Sequence, residues 1–564
     1  MARTKRPIRQ ASNVRIVKRD TSGHIASLVS SDQVREQGDH VRHVRGTPTP
    51  GPYLGGDLSF QTGGLRPGMQ YVRSKPKKGE RIPVHVVVVS YNRPDHCRRL
   101  LQDLVVEAAT HDLSVHVFDD KSTEDYGDVQ ELLSAKNWRY TVADQNHGKQ
   151  GFWRWVKQIY GTLEANKKPY VILLPDDVRL CRDFIARAVS FWRAIKDPRK
   201  IALTLQADSR LGRSNWTSIT PKQQGDVWHT GWVDGAILCT PEYFKALGHS
   251  CPAVAADRWA QNPLLGSGVG QVLSTELHRQ GRSMWCTHQS LLVHVGIGSQ
   301  MNPEERKKNP LRSERFIDGP AMAASLEAAE RVTISMASIP SRMPLLPRVI
   351  DRLYWQCDEL RVYLNQYRSV PDTLVRRRIR IARSQQHKDR GDAGKFFWVD
   401  STKGYILTCD DDILYPHDYV ATLTAAVERY GRKAIVGVHG AIIEEQPRDY
   451  YNSRSVLHCK YDQATDRAVH VLGTGTTCFH ASTLRVRPQD FKVPNMADIW
   501  LAVIARSQRV PMACIAHQGG WMEFFDDPQG IEIYKRYAGR DKKQGEVVRS
   551  LAPWPALPKR PRIR

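Results

Sequence analysis

Long hydrophobic runs are missing from this chain of 564 residues. Spanning a bilayer takes roughly 20 apolar residues, and the longest strand-like apolar stretches, Val84 to Val89 and Val171 to Leu174, fall far short. The charged start Met1-Ala2-Arg3-Thr4-Lys5-Arg6 is followed by polar sequence rather than a signal-peptide core, so a cytoplasmic protein is expected. The ten cysteines lack any Cys-x-x-Cys pair and any Cys/His cluster at zinc spacing. Neither a disulfide framework nor a structural zinc is indicated, and the thiols read as buried groups in a reducing compartment. Negative charge is short as well. Lys and Arg number 83 against 59 Asp and Glu, a formal charge of +24. Residues 1–83 carry 16 basic against 6 acidic residues and residues 541–564 carry 7 against 2, so these two stretches hold +15 of the total. Basic arms of this kind commonly track a polyanion, either nucleic acid or an anionic membrane surface. The alternative is a solvated tail that only aids solubility.

The length allows two or three domains, each with its own core. Residues 1–80 contain turn-forming stretches such as Thr47-Pro48-Thr49-Pro50-Gly51-Pro52 and read as a basic, partly disordered arm. Apolar strands and amphipathic helices then alternate: strand Val84–Ser90, helix Asp95–Ala108, strand Ser114–Asp119, a helix near Asp128–Ala135, and strand Tyr170–Leu174. That alternation predicts an α/β domain with a mainly parallel sheet over 81–301. A polar, then Ala/Glu-rich stretch, 302–329, reads as a linker with a short helix. A second α/β series over 330–530 opens at Val332 and continues through strand Glu359–Leu364, helix Val370–Ile379, strand Tyr405–Thr408, helix His417–Tyr430 and strand Ala434–Val438. Residues 531–564 read as a basic tail. The repeat is one of plan rather than of residues.

One acidic arrangement occurs twice, each time closing an apolar strand: Leu173-Leu174-Pro175-Asp176-Asp177 and Thr408-Cys409-Asp410-Asp411-Asp412. Clustered carboxylates at a strand end need a positive occupant. A divalent metal with a phosphorylated ligand is the usual one, since oxygen ligands suit Mg2+ or Mn2+ and the ion neutralises a leaving diphosphate. Three carboxylates so close raise one another's pKa values unless a cation joins them.

With these motifs the first series resembles the family 2 glycosyltransferases of the GT-A fold. Val86-Val87-Val88-Val89-Ser90-Tyr91-Asn92-Arg93-Pro94 is similar to the opening strand and nucleotide-cradling loop, Val117-Phe118-Asp119-Asp120 to the second strand with its base- or ribose-contacting Asp, and Asn146-His147-Gly148-Lys149 to the donor-side loop. The resemblance implies donor binding by Ser90, Asn92, Asp119, Asn146 and Lys149, and a metal site of Asp176, Asp177 and His294. Asp234 and Asp257 are the candidate bases of this half, although Gly266-Ser267-Gly268-Val269-Gly270 stands where relatives often carry an acid. The second series resembles a more divergent GT-A branch. There Arg342 and Lys395 are implied at the diphosphate, Asp410, Asp411 and Asp412 with His517 at the metal, and Asp498 as general base. The alternative role for Asp498 is a helix N-cap.

The fold implied is α/β: two tandem GT-A, Rossmann-like domains with basic, partly disordered arms. The activity implied is metal-dependent transfer of sugar from a nucleotide-sugar to an acceptor hydroxyl. It is expected to proceed with inversion, because no double-displacement nucleophile stands out, and two sites suggest successive sugars. Basic arms and the cluster Arg376-Arg377-Arg378-Ile379-Arg380 point to DNA carrying hydroxymethyl-pyrimidines as acceptor, as in phages that modify their genomes, with host cytoplasm as the location. The rivals are a cell-surface polysaccharide or lipopolysaccharide transferase, and a nucleic-acid-binding protein built on inactive transferase domains.

Overall fold

A computed structural model of the chain describes residues 16–19, 25–29, 80–207, 223–224, 226–233, 235–295, 301, 313, 315–328, 330–525 and 542–558. Residues 1–70 form one unit and 71–564 another. In the first unit, Ile16–Arg19 and Ile25–Val29 pair as an antiparallel hairpin. The remainder of the basic arm lies outside the described residues, as does Asp234.

Among its described residues the second unit holds two large sheets and three small ones of two or three strands. The first contains β1 (Pro83–Ser90), β2 (Asp112–Asp119), β3 (Arg139–Val142), β4 (Tyr170–Pro175), β5 (Lys200–Thr204), β6 (Gln223–Gln224), β7 (Val227–Thr230), β8 (Ile237–Cys239) and β9 (Ser283–Thr287), in the order β3-β2-β1-β4-β8-β5-β9-β7-β6. The second contains β10 (Val332–Ser338), β11 (Glu359–Leu364), β12 (Ile379–Arg383), β13 (Tyr405–Cys409), β14 (Ile435–Gly437), β15 (Arg467–Val469), β16 (Thr476–His480) and β17 (Met512–Cys514), in the order β12-β11-β10-β13-β16-β14-β17-β15. Without the outermost β6, the two orders match strand for strand, and so do the strand senses. β1 and β10 run parallel to both their neighbours, while β8 and β16 run antiparallel to theirs.

The sequence explains the parallel part. Five of the eight residues of β1 are Val, and the strand is buried along most of its length, as an interior strand covered on both faces must be. Helix α1 (Pro94–Ala108) buries Cys97, Leu100, Leu101, Leu104 and Val105, the 3–4 spacing of one helical face, and Pro94 fits its first turn, where no N–H is needed. The helix expected over Val370–Ile379 is absent. Pro371 leads into a single 3₁₀ turn, Asp372–Leu374, and the chain then extends into β12, which completes the parallel ladder beside β11. A strand that short gives no helical period, and pairing with β11 decides its state.

The two halves share one apolar cluster, in which Leu101 and Leu104 belong with Leu353 and Leu360. Where the halves meet, Arg98 Nη2 lies 2.6 Å from Asp358 Oδ1, Arg99 Nε reaches the same oxygen at 3.3 Å, and Gln102 Nε2 donates to the Cys357 carbonyl at 3.1 Å. The linker supplies helix α2 (Pro320–Glu327), whose Met322 and Leu326 pack on that cluster. The basic cluster expected to face DNA is largely spent here. Arg377 pairs with Asp125 and, at 3.4 Å, Asp128, and Arg378 reaches Asp128 at 3.4 Å while lying 4.1 Å over the Tyr354 ring. The C-terminal tail is in part folded. Helix α3 (Lys542–Ser550) and the residues after it dock on the second half, where Val548 and Trp554 are buried in its core and Trp554 donates its backbone N–H to the Glu445 carbonyl at 2.9 Å. Its aromatic and aliphatic residues outweigh its charge over that stretch.

Candidate active sites

The strand register aligns the two acidic motifs. Val88 pairs with Leu174 across β1 and β4, and Met336 pairs with Cys409 across β10 and β13. Two residues on, Ser90 therefore corresponds to Ser338, Asp176 to Asp411, Asp177 to Asp412, and Pro175 to Asp410.

In the first half Ser90 Oγ donates to Asp176 Oδ2 at 2.7 Å and lies 2.6 Å from the Tyr126 hydroxyl. Arg93 bridges both acids, Nη2 to Asp176 Oδ1 at 3.3 Å and Nη1 to Asp177 Oδ2 at 2.6 Å. His294 Nδ1 stands 3.4 Å from Asp177 Oδ1, and its Nε2 bonds Gln206 Oε1 at 3.0 Å. Burial and the neighbouring Asp177 push the Asp176 carboxyl up to about 7 against the pull of Arg93. Burial acts the same way on Asp177, but His294 and Arg93 overcome it and hold that carboxyl far below the usual range. An internal guanidinium thus already sits across the carboxylate pair.

The second half repeats the frame. Ser338 Oγ lies 2.9 Å from the Tyr367 hydroxyl and hydrogen-bonds Asp411, and Arg342, itself buried, meets Asp412 Oδ2 at 2.9 Å. It then adds a third acid. Asp410 pairs with the buried Lys395, and its backbone N–H donates to the Tyr415 hydroxyl at 2.7 Å. Gly475 lies against the Asp410 carboxylate, where a Cβ would collide with it. Asp411 Oδ2 is buried with no hydrogen-bond partner, and burial, then Asp412 and Asp410, push its carboxyl up to about 7. A buried, orphaned anionic oxygen between two further carboxylates fits a divalent cation.

Asp498 sits in the first turn of helix α4 (Ala497–Ser507). It does not cap that helix. Its Oδ1 instead accepts the Thr474 N–H at 2.7 Å and the Thr474 hydroxyl at 2.6 Å. Burial raises its pKa against those two bonds and Lys395, while Asp410 adds to the rise. Asp498 stands eleven residues before Arg509, whose φ of 57° closes the helix turn ahead of β17. In the first half the matching left-handed residue ahead of β9 is Gly281, at φ 69°, and eleven residues before it is Gly270. The first half has no carboxylate there.

Other expected residues fall elsewhere. Asn92 Oδ1 accepts the Thr123 N–H at 2.7 Å and so pins the next loop. Asp119 is consumed by the Ser122 N–H at 3.0 Å and the Tyr140 hydroxyl at 2.7 Å. Asn146 Nδ2 donates to the Asp120 carbonyl at 2.8 Å. Lys149 is turned to the Pro263 carbonyl at 2.6 Å in an exposed position, and Asp257 is exposed ahead of the short helix Arg258–Gln261. The strand pairs Val178–Leu180 with Leu292–His294 and Ile413–Leu414 with Glu523–Phe524 set His294 opposite Val178 and Phe524 opposite Ile413. Phe524, not His517, therefore holds the place of His294. The residues that sequence reasoning missed are Arg93, Tyr126, Tyr367 and Gln206. Of these only Arg93 carries a signal, since it stands inside the loop motif that follows β1.

No protein-family model matches the chain, and no curated protein matches it. Among solved structures, parts of the chain are similar to GT-A-type glycosyltransferases. A mannosyltransferase of Pyrobaculum calidifontis, solved with GDP-Man and Mn2+, is 17% identical over 37% of this chain and 55% of its own, at a TM-score of 0.26. S. aureus TarS 1-349 is 15% identical over 37% and 60%, at 0.26. GalNAc-T7, solved with UDP, GalNAc and Mn2+, is 13% identical over 42% and 47%, at 0.28. The chain thus spans about half to three-fifths of each of these structures. Among the described residues no helix is long and apolar enough to cross a membrane.

Proposed function

We propose that the second half is a metal-dependent, inverting glycosyltransferase site that takes a nucleotide-sugar donor, and that the first half is a silent copy that supports it. The observation that carries this is the orphaned Asp411 Oδ2 beside Asp410 and Asp412. In this reading Asp411 and Asp412 hold Mn2+ or Mg2+, which supplies charge neutralisation for the leaving nucleoside diphosphate. Arg342 and Lys395 add fixed positive charge on the diphosphate side. Asp498 keeps Oδ1 on Thr474 and offers its second oxygen to the acceptor hydroxyl, whose proton it removes. Burial raises its pKa above the ordinary carboxylate value, which makes it a stronger base. A single displacement with one base inverts the sugar carbon. Glycine at the position of Asp498 and proline at that of Asp410 support silence in the first half.

For the acceptor we propose hydroxymethyl-pyrimidine DNA. The support is the charge of residues 1–83, since Arg377 and Arg378 are committed between the halves. The test is incubation with UDP- and GDP-sugars, Mn2+ and hydroxymethylated DNA, followed by nucleoside mass analysis. One added sugar is expected. Asp498→Asn should lower kcat by about 10²–10⁴-fold, Asp411→Asn should abolish transfer, and Asp176→Asn should change neither product nor rate. A disaccharide, or loss of activity with Asp176→Asn, would make the first half a second active site. Donor turnover with unmodified DNA would move the acceptor to a glycan or lipid.

A further inference from the structure

The fold brings the adjacent pair His458 and Cys459 together with His439, about twenty residues earlier in the chain. His439 lies two residues past the end of β14, and His458 and Cys459 follow the strand Arg454–Leu457. Cys459 is buried, with Sγ 3.6 Å from His439 Nδ1 and 3.8 Å from His458 Nδ1, and the three ligand atoms lie within 4.8 Å of one another. A tetrahedral zinc with bonds of about 2.3 Å to sulfur and about 2.0–2.1 Å to nitrogen holds its N and S ligands about 3.5 Å apart. The Cys459 distances are close to that edge before any ion draws the groups in.

A further histidine bonds the same loop through its backbone. His517 pairs by backbone with Gln463, in the loop that begins at His458. His517 Nδ1–H donates to the Ile515 carbonyl at 2.8 Å, which leaves Nε2 as the nitrogen with a free lone pair, and that Nε2 is buried with no hydrogen-bond partner. A histidine whose other nitrogen donates to a carbonyl has the tautomer and orientation that metal-bound histidines adopt. At His458 the Nδ1 lone pair accepts the Lys460 N–H at 3.2 Å, a long bond that a metal would replace.

We propose that His439, His458 and Cys459 form a zinc-class site with a fourth position open to solvent or a further side chain, separate from the hard-metal site at Asp410–Asp412. Imidazole and thiolate select zinc over Mg2+ or Mn2+, which prefer oxygen. On binding, the Cys459 thiol loses its proton to solvent and the sulfur bonds the metal. The position gives the site a purpose. Gly473 backs onto the His439 ring, Thr476 Oγ1 accepts the His439 N–H at 3.2 Å, and Gly475 of the same loop rests on Asp410. A metal on His439 would tie the 458–463 loop to the wall that carries Thr474 and Asp410. The site is thus a positioning device, independent of which sugar is transferred or whether transfer occurs.

The experiment is cobalt substitution of the full-length protein, stripped with chelator and reloaded with Co2+. Intense tetrahedral d–d absorption and a sulfur-to-cobalt charge-transfer band are expected at one equivalent, with zinc displacing both. Cys459→Ser should remove the charge-transfer band, and His439→Ala should weaken Zn2+ binding at least tenfold in competition with a chromophoric chelator. Asp411→Asn should leave both signals in place, which separates this site from the carboxylates. Absence of the charge-transfer band in the unmutated protein overturns the proposal even if the variants fail to fold. So does a band that survives Cys459→Ser, or a spectrum lost with Asp411→Asn.

Discussion

Glu107 shows what one buried carboxyl does to this molecule. It ends helix α1 and turns to the start of the helix Phe184–Ala194, where Oε1 accepts the Phe184 N–H at 2.8 Å and Oε2 the Ile185 N–H at 3.0 Å. Two orphan donors are satisfied, yet burial still pushes the carboxyl from 4.5 up to about 7. The folded state therefore holds this proton more tightly than the unfolded chain. The stability that goes with it is complete below about pH 4.5 and is lost as pH climbs to about 7, a change of about 3 kcal/mol at 1.36 kcal/mol per unit. Gln at this position titrates nothing and keeps one acceptor. Urea unfolding should show the Glu107→Gln variant gaining on the parent by about 3 kcal/mol between pH 4.5 and pH 7, and two parallel stability curves would refute the assignment. At this scale the sequence shows acids at strand ends, because a carboxylate after an apolar strand has few other uses. Their partners are not legible. Asp119 looks free in sequence and is spent on Ser122 and Tyr140, and the grip of Arg93 on two acids more than 80 residues away leaves no local mark.

At the scale of elements, the parallel strands and their covering helices are readable from Val-rich runs and the spacing of Leu in α1. The short antiparallel strands β8 and β16 are not, since three to five residues carry too little period to stand out. The segment 370–383 departs from the helix its sequence suggests because a basic run with no apolar face takes its conformation from its neighbours. Arg378 makes this testable. Its guanidinium stacks on Tyr354 and Nη1 donates to the Tyr354 carbonyl at 3.1 Å and the Cys357 carbonyl at 2.6 Å. Arg378→Ala removes a largely desolvated cation–π interaction and two charge-assisted bonds, and should cost about 3 kcal/mol. A lowered unfolding midpoint with unchanged DNA affinity is expected. Unchanged stability with weakened DNA binding would return this cluster to the nucleic-acid surface.

For the whole molecule, the tandem plan is legible because one motif recurs at one place in two series, and eight strands then repeat in the same order and sense. Matched topology did not preserve matched chemistry. Asp410 stands at the position of Pro175, Asp498 at that of Gly270 and Phe524 at that of His294, so the copies share a frame and differ in the groups that could act. Charge is divided as unevenly as chemistry. Residues 1–79 carry 15 Lys and Arg against 5 Asp and Glu. If that charge holds DNA, its removal should act on affinity and salt dependence and leave the site at Asp410–Asp412 alone. A chain beginning at residue 80 should bind duplex DNA more weakly, with the slope of log K against log salt reduced by about 0.9 for each phosphate that is no longer neutralised. Transfer to a free hydroxymethyl nucleoside should keep its kcat. Equal salt slopes with and without the segment would show that it does not touch the polyanion. The acceptor would then be one that needs no charged tether, and the glycan reading would gain the support that the DNA reading gave up.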